Sequence, residues 1–150
     1  MLVQDRDGVT PEPAGWEHRA GPEPSDEQIE AARVLVVAVS ALSSNAIAIG
    51  GIDSSSEQAG APALFGAGAG QMDRVAASKL AIEKAGERCV GAVAVSDAFF
   101  PFPDGPELLI NAGVRCIVHP GGSRRDEETF RLCDERGVTC LVTGVRRFRH

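Results

Sequence analysis

Apolar positions along the chain fall into two periods that alternate from about residue 26 onward. Ser25 followed by Gln28 has the spacing of a capping box, and the apolar positions from Ile29 through Val39 then predict a helix over about 26–41, buried on most sides. "NAIAIGGI" reads as a strand, "SSSEQAGAP" as an exposed loop, and "ALFGAGAG" as a second strand running into glycine. "MDRVAASKLAIEKAG" has Val75, Leu80, Ala81 and Ala85 on a helical period and Gly86 suited to a left-handed cap. "CVGAVAVS" is a buried strand, "PELLINAG" a short helix ending at Gly113 and "VRCIVH" a strand. "RRDEETFRLCDERG" is a helix ending at Gly137, and "VTCLVTG" is the last strand. Residues 8–26 carry four prolines among glycines and acids, so 1–26 is read as an extended arm, with Trp16 pinning it to a body over 27–150.

Strands alternating with helices at these intervals predict an α/β class, with parallel strands joined by right-handed crossovers in a helix-covered sheet. In such sheets ligands bind beyond the carboxyl ends of the strands. The segments that follow the strands are "GAGAGQMDR", "SDAFFPFPDG", "HPGGSRRDEE" and "TGVRRFRH". Glycines 66, 68 and 70 allow close backbone approach but lack the full dinucleotide or Walker pattern, leaving a tight strand-to-helix turn and a ligand loop both open. "PGGS" before Arg124 and Arg125 fits either a helix cap through Ser123 and Asp126 or an anion site. "SDAFFPF" places three phenylalanines around a proline where a polar loop is the norm. The tail "RRFRH" fits a solvated basic tail or, through Phe148, one that packs down.

Composition narrows the classes. The 150 residues suit one domain with one core, and 15 Lys+Arg against 21 Asp+Glu, a net charge of -6, opposes nucleic-acid binding through phosphate contacts. The longest apolar run, "VLVVAV", is too short to span a bilayer and the opening "MLVQDRDGVT" has no signal pattern, so the expected location is cytoplasmic, with no membrane partner. Cys89, Cys116, Cys133 and Cys140 have no C-x-x-C spacing and lie in or beside apolar runs, which predicts structural thiols and no metal. The zinc deaminase signature and the nucleophile elbow of serine hydrolases are both missing.

Taken in order, "LVQDRD", "SSNAIAI", "GAGAGQMDRV", "SDAFFPFPDG", "HPGGSRRDEE" and "TGVRRFRH" resemble the C-terminal part of the bifunctional purine-biosynthesis family that combines AICAR transformylase with IMP cyclohydrolase. The resemblance runs over nearly the whole chain. It implies a cytidine-deaminase-like three-layer α/β/α half-domain with a mostly parallel sheet. The activity it implies is formyl transfer from 10-formyltetrahydrofolate to the amine of AICAR or a related amine. The cyclohydrolase domain and the transformylase half carrying the family's Lys-His pair lie outside the resemblance, so the implied site is completed by another chain in a homo- or hetero-oligomer.

Carried over residue by residue, the resemblance gives Asn45 as the catalytic amide, holding substrate and the transferring formyl group. It gives Arg74, Phe99 and Arg146 to the substrate, Arg146 as a phosphate ligand, and Pro101, Phe102 and Asp104 to the folate side of the pocket. Phe99 and Phe102 are then expected to face the pocket and Phe100 the core. The chain departs from the family in "VSALSS" ahead of Asn45, where lysines are usual, at Pro103 in place of a basic residue, and at Asp73 in place of serine. Those losses of positive charge point to the alternatives: a repurposed homo-oligomeric binding protein or enzyme of another pathway, or a fragment retaining only its fold.

Overall fold

The computed structural model describes residues 13–55 and 60–146. The capping box forms as the spacing predicts: Ser25 Oγ accepts from the Gln28 N–H, and the Gln28 side chain accepts from the Ser25 N–H. Helix α1 (Asp26–Ser40) follows from it, burying Ala31, Ala32, Leu35, Val36 and Val39. Strands β2 (Ile47–Asp53) and β3 (Ala61–Gly68) come next, then α2 (Arg74–Ala85), β4 (Val93–Ser96), α3 (Asp104–Asn111), β5 (Cys116–His119), α4 (Asp126–Arg136) and β6 (Thr139–Val142). Gly137 closes α4 in the left-handed conformation, φ 67° and ψ 36°.

Within the segment read as an arm, a short 3-10 turn at Pro13–Gly15 leads to an edge strand, β1 (Glu17–Ala20), antiparallel to β6. Trp16 packs against the α1 side of the core. Residues 1–12, with the whole "LVQDRD" motif, and residues 147–150, with Phe148, lie outside the described residues.

The sheet order is β1-β6-β5-β4-β2-β3. Pairings β4–β5 and β5–β6 are parallel, each bridged by one helix, and β3 to β6 all run in one direction. The sheet is mostly parallel in strand direction, as expected, but the reading of each strand pair as a parallel crossover fails at β2, which is antiparallel to both β3 and β4. The cause is connection length: only residues 54–60 join β2 to β3, and a parallel crossover needs about a dozen residues or more. A hairpin is what so short a link permits.

Alternation along the strands sends side chains to two faces. Ile47 and Ile49 of β2, Ala94, Ile117 and Cys140 join α2, α3 and α4 in one core, while Ala48, Val93, Val95, Cys116, Val118 and Leu141 meet α1 in the other. The result is three layers, α/β/α. On the α2 side the glycine run has a specific use: a Cβ on Gly68 would lie 2.1 Å from the Ala77 carbonyl oxygen, and one on Gly66 would lie 2.5 Å from the Ala85 nitrogen. The close approach that these glycines allow is made by the backbone of α2. Among the described residues no helix is long and apolar enough to cross a membrane.

Two predictions follow from this packing. Gly68→Ala forces α2 off the sheet and should cost about 3 kcal/mol, read as a lower urea midpoint; an unchanged midpoint contradicts the packing. All four cysteines are buried and free, and burial pushes the Cys116 thiol up to about 12. Ellman's reagent should therefore find no reactive thiol in the folded chain and all of them in denaturant.

Candidate functional site

The reversed direction of β2 decides which segments meet. Register pairs Ile47 with both Gly68 and Ser96, so the residues leading into β2 lie at the same sheet edge as the carboxyl ends of β3 and β4. Backbone bonds extend both ladders past the strand ends. Asn45 and Gln71 exchange N–H to carbonyl bonds at 3.2 and 3.4 Å, and the Asp97 N–H donates to the Ala46 carbonyl at 3.2 Å. The peptide bond between Ser44 and Asn45 is cis.

Four side chains interlock there. Asp97, the residue after β4, has no exposed surface. Its Oδ1 takes the Arg74 Nη2 at 2.9 Å and the Ala46 N–H at 3.2 Å, and its Oδ2 accepts from the Ser44 hydroxyl at 2.6 Å. Arg74, the first residue of α2, is itself only 6% exposed and donates through Nη1 to Asn45 Oδ1. Asn45 Nδ2 in turn donates to the Gln71 carbonyl at 2.8 Å. Burial lowers the proton affinity of the Arg74 guanidinium, and the Asp97 carboxylate works against that shift. The Nε of Arg74 has no hydrogen-bond partner among the described residues.

This cluster floors a cleft of about 270 Å³ lined by Asn45, Met72, Asp73, Arg74, Ala98, Phe99 and Pro101. Asp73 is committed as the N-cap of α2, its Oδ1 accepting from the Ala76 N–H at 2.7 Å. Of the residues expected at a site, the fold therefore gathers Asn45, Arg74, Phe99 and Pro101. Arg146 joins them indirectly, its guanidinium carbon 4.9 Å from the centre of the Phe99 ring.

The three phenylalanines of "SDAFFPF" part company. Phe100 is buried in the α2–α4 core and meets His119 edge-on at 5.6 Å, while Phe99 lines the cleft. Phe102 is 49% exposed and lies outside that lining, under Arg125 at 4.8 Å. Asp104 is likewise elsewhere: it opens α3 and accepts from the neighbouring Gly105 N–H at 2.9 Å. Sequence reasoning passed over Asp97 and Gln71. The signal for Asp97 was a carboxylate directly after a fully apolar strand, a position that demands partners.

The "HPGGSRR" loop satisfies several of its donors from within. Gly121 N–H bonds His119 Nδ1 at 3.1 Å, Gly122 N–H bonds Asp126 Oδ2 at 2.8 Å, Arg125 N–H bonds Ser123 Oγ at 3.1 Å, and the Arg125 side chain pairs with Glu128 at 2.7 Å. A carboxylate of the chain's own fills the place an outside anion would take. Because a backbone N–H can only donate, His119 Nδ1 is the bare nitrogen and Nε2 carries the proton, 3.6 Å from Cys140 Sγ. Burial pulls the His119 pKa down to about 4, against the opposing pull of Asp126. Among the described residues no group of three or more His, Cys, Asp or Glu is arranged to hold a metal ion.

Comparison with known proteins places this geometry in context. The family model of the AICARFT/IMPCHase bienzyme matches residues 1–84. The bifunctional purine biosynthesis protein PurH of Streptococcus thermophilus is 39% identical over 150 residues, which is 100% of this chain and 27% of that protein. PurH of Synechococcus sp. is 38% identical over the same extent of both chains. PurH of Mycobacterium marinum is 58% identical over 88 residues, 59% of this chain and 17% of that one. The chain thus spans 27% of the length of the relatives it matches end to end. A solved structure, Acinetobacter baumannii RibD, superposes with a TM-score of 0.45 at 18% identity, over 76% of this chain and 34% of that chain.

His119 gives a pH prediction. Folding lowers its proton affinity, so below pH 6.5 the unfolded chain takes up a proton that the folded chain refuses until about pH 4. The stability this adds is fully present above 6.5 and drains away as pH falls toward 4. Between about pH 7 and about pH 5 the loss should be about 2 kcal/mol. Chemical denaturation of wild type and His119→Gln at both pH values checks it: the variant should lack this part of the slope, and parallel pH profiles would refute it.

Proposed function

The chain belongs to the AICARFT/IMPCHase bienzyme family, and we propose that it forms one part of a formyl-transfer site, on a half-domain of cytidine-deaminase-like architecture completed by another chain. In this reading the formyl group passes from 10-formyltetrahydrofolate to the amine of AICAR or a related aminoimidazole. The observation that carries it is that Asn45, Arg74, Phe99 and Pro101, spread over 57 positions of sequence, line one cleft.

The chemistry asks for three things. The amine nitrogen attacks the formyl carbon, the carbonyl electrons move onto oxygen, and collapse of that adduct breaks the bond to folate N10, which takes up a proton as the amine loses one. An uncharged amide N–H suits the developing oxyanion, and Asn45 supplies it. The Phe99 ring offers a flat apolar wall for a heterocycle, with Arg146 beside it for an anionic group. The third need is a base for the amine proton. The described residues lining the cleft include no histidine or lysine, and Asp73 is occupied as a helix cap. That gap is the reason for assigning the proton transfer to a partner chain bearing the family's Lys-His pair.

The test is formyl transfer to AICAR by the chain alone and mixed with a polypeptide carrying the rest of the transformylase domain. Alone the chain should be close to background, since loss of a general base costs about 10²- to 10⁴-fold. Mixing should restore turnover, and Asn45→Ala in the mixture should lower kcat by roughly 10²- to 10³-fold. No gain on mixing defeats the reading.

A further inference from the structure

We propose that Asp97 is a positioning residue which, acting through Arg74, turns the Asn45 amide so that an N–H and not its oxygen faces the cleft. The inference rests on the formyl-transfer reading only for what that N–H meets, the formyl oxygen; the orientation itself is argued from hydrogen-bond chemistry alone.

A guanidinium can only donate and a backbone carbonyl can only accept. The Asn45 side chain lies between one of each, Arg74 Nη1 on its oxygen and the Gln71 carbonyl on its nitrogen at 2.8 Å. Flipped by a half turn, the amide would set oxygen against oxygen and N–H against N–H, so one orientation survives. Its oxygen is held by Arg74, and one of its two amide hydrogens goes to Gln71. The second hydrogen has no acceptor among the described residues, and Asn45 lines the cleft.

Everything in this chain of bonds depends on where the Arg74 guanidinium sits. Arg74 is 6% exposed, and its ion-pair partner is the wholly buried Asp97 at 2.9 Å. The carboxylate is in turn fixed by the Ser44 hydroxyl and the Ala46 N–H, at 2.6 and 3.2 Å. Without that charge a guanidinium in so dry a place swings toward water. Asn45 then keeps only Gln71 as a partner, and its oxygen is no longer committed.

Side-chain NMR of the intact chain labelled with 15N-arginine, the Arg74 signals assigned through Arg74→Lys, tests the orienting link without any assumption about the reaction. In wild type the two Nη groups of Arg74 should give separate, slowly exchanging signals. In Asp97→Asn they should merge while the backbone amide spectrum stays dispersed. Merged Arg74 signals in the folded wild type overturn the proposal, and that measurement holds even where the variant fails to fold. In the formyl-transfer mixture, Asp97→Asn should lower kcat by on the order of 10- to 100-fold, less than direct removal of the donor. Added to Asn45→Ala it should cost nothing more, whereas independent losses that multiply would mark Asp97 as merely structural and overturn the proposal. A wild-type mixture with no activity defeats the formyl-transfer reading, and the NMR outcome then decides the orientation by itself.

Discussion

A carboxylate with no access to water holds this edge of the molecule together. Removing a charge from solvent costs several kcal/mol, recovered only when an opposite charge and enough donors surround it. Asp97 has both: a guanidinium, a hydroxyl and a backbone N–H converge on its two oxygens. Those donors come from two separate segments, the lead into β2 and the start of α2, while Asp97 itself directly follows β4. The requirement to pair one carboxylate therefore fixes three stretches of chain against each other, and the cleft lies over their junction.

Strand direction makes this convergence possible. Were β2 parallel to its neighbours, Ser44 and Asn45 would begin it at the opposite edge of the sheet, about the length of a seven-residue strand away. The seven-residue link after β2 forbids that arrangement, and β2 enters from the edge where β3 and β4 leave. The rule that ligands gather at the carboxyl ends of strands thus extends here to the amino end of the one central strand that runs the other way. A loop length sets which residues can share a cleft.

Much of this was legible before any coordinates. The capping box at Ser25 and Gln28, the helical period of 74–85, the glycine stop at Gly137 and the buried runs of β4 to β6 are local signals, and local signals survive folding. The direction of β2 was legible too, since the loop read between the strands was already too short for a crossover; the regular alternation of helix and strand drew attention away from it. Glycines 66 and 68 were ambiguous because a close approach by helix backbone and one by a ligand ask the same thing of a sequence. The fate of the three phenylalanines was harder to read. Phe99, Phe100 and Phe102 have one chemistry and different surroundings, and a pattern of residue types cannot say that Phe102 ends under Arg125 while Phe99 walls the cleft. Asp97 escaped notice because an acid after a strand reads as the first residue of a polar loop, and only long-range partners turn it into a clamp.

Pairing also shapes what the cleft can recognise. Arg74 and Asp97 cancel as an ion pair, so the floor offers directional hydrogen bonds with little net field. A group lying on it would meet directional donors and acceptors and the flat face of Phe99. Beside the floor, the Arg146 guanidinium stacks 4.9 Å from the centre of that ring. A cation over an aromatic face gains about 0.5–2 kcal/mol, so the ring that walls the cleft also steadies the arginine beside it. Phe99 therefore serves two neighbours: a change that removes the ring takes away the flat wall of the cleft and, in the same step, a stacking partner of Arg146.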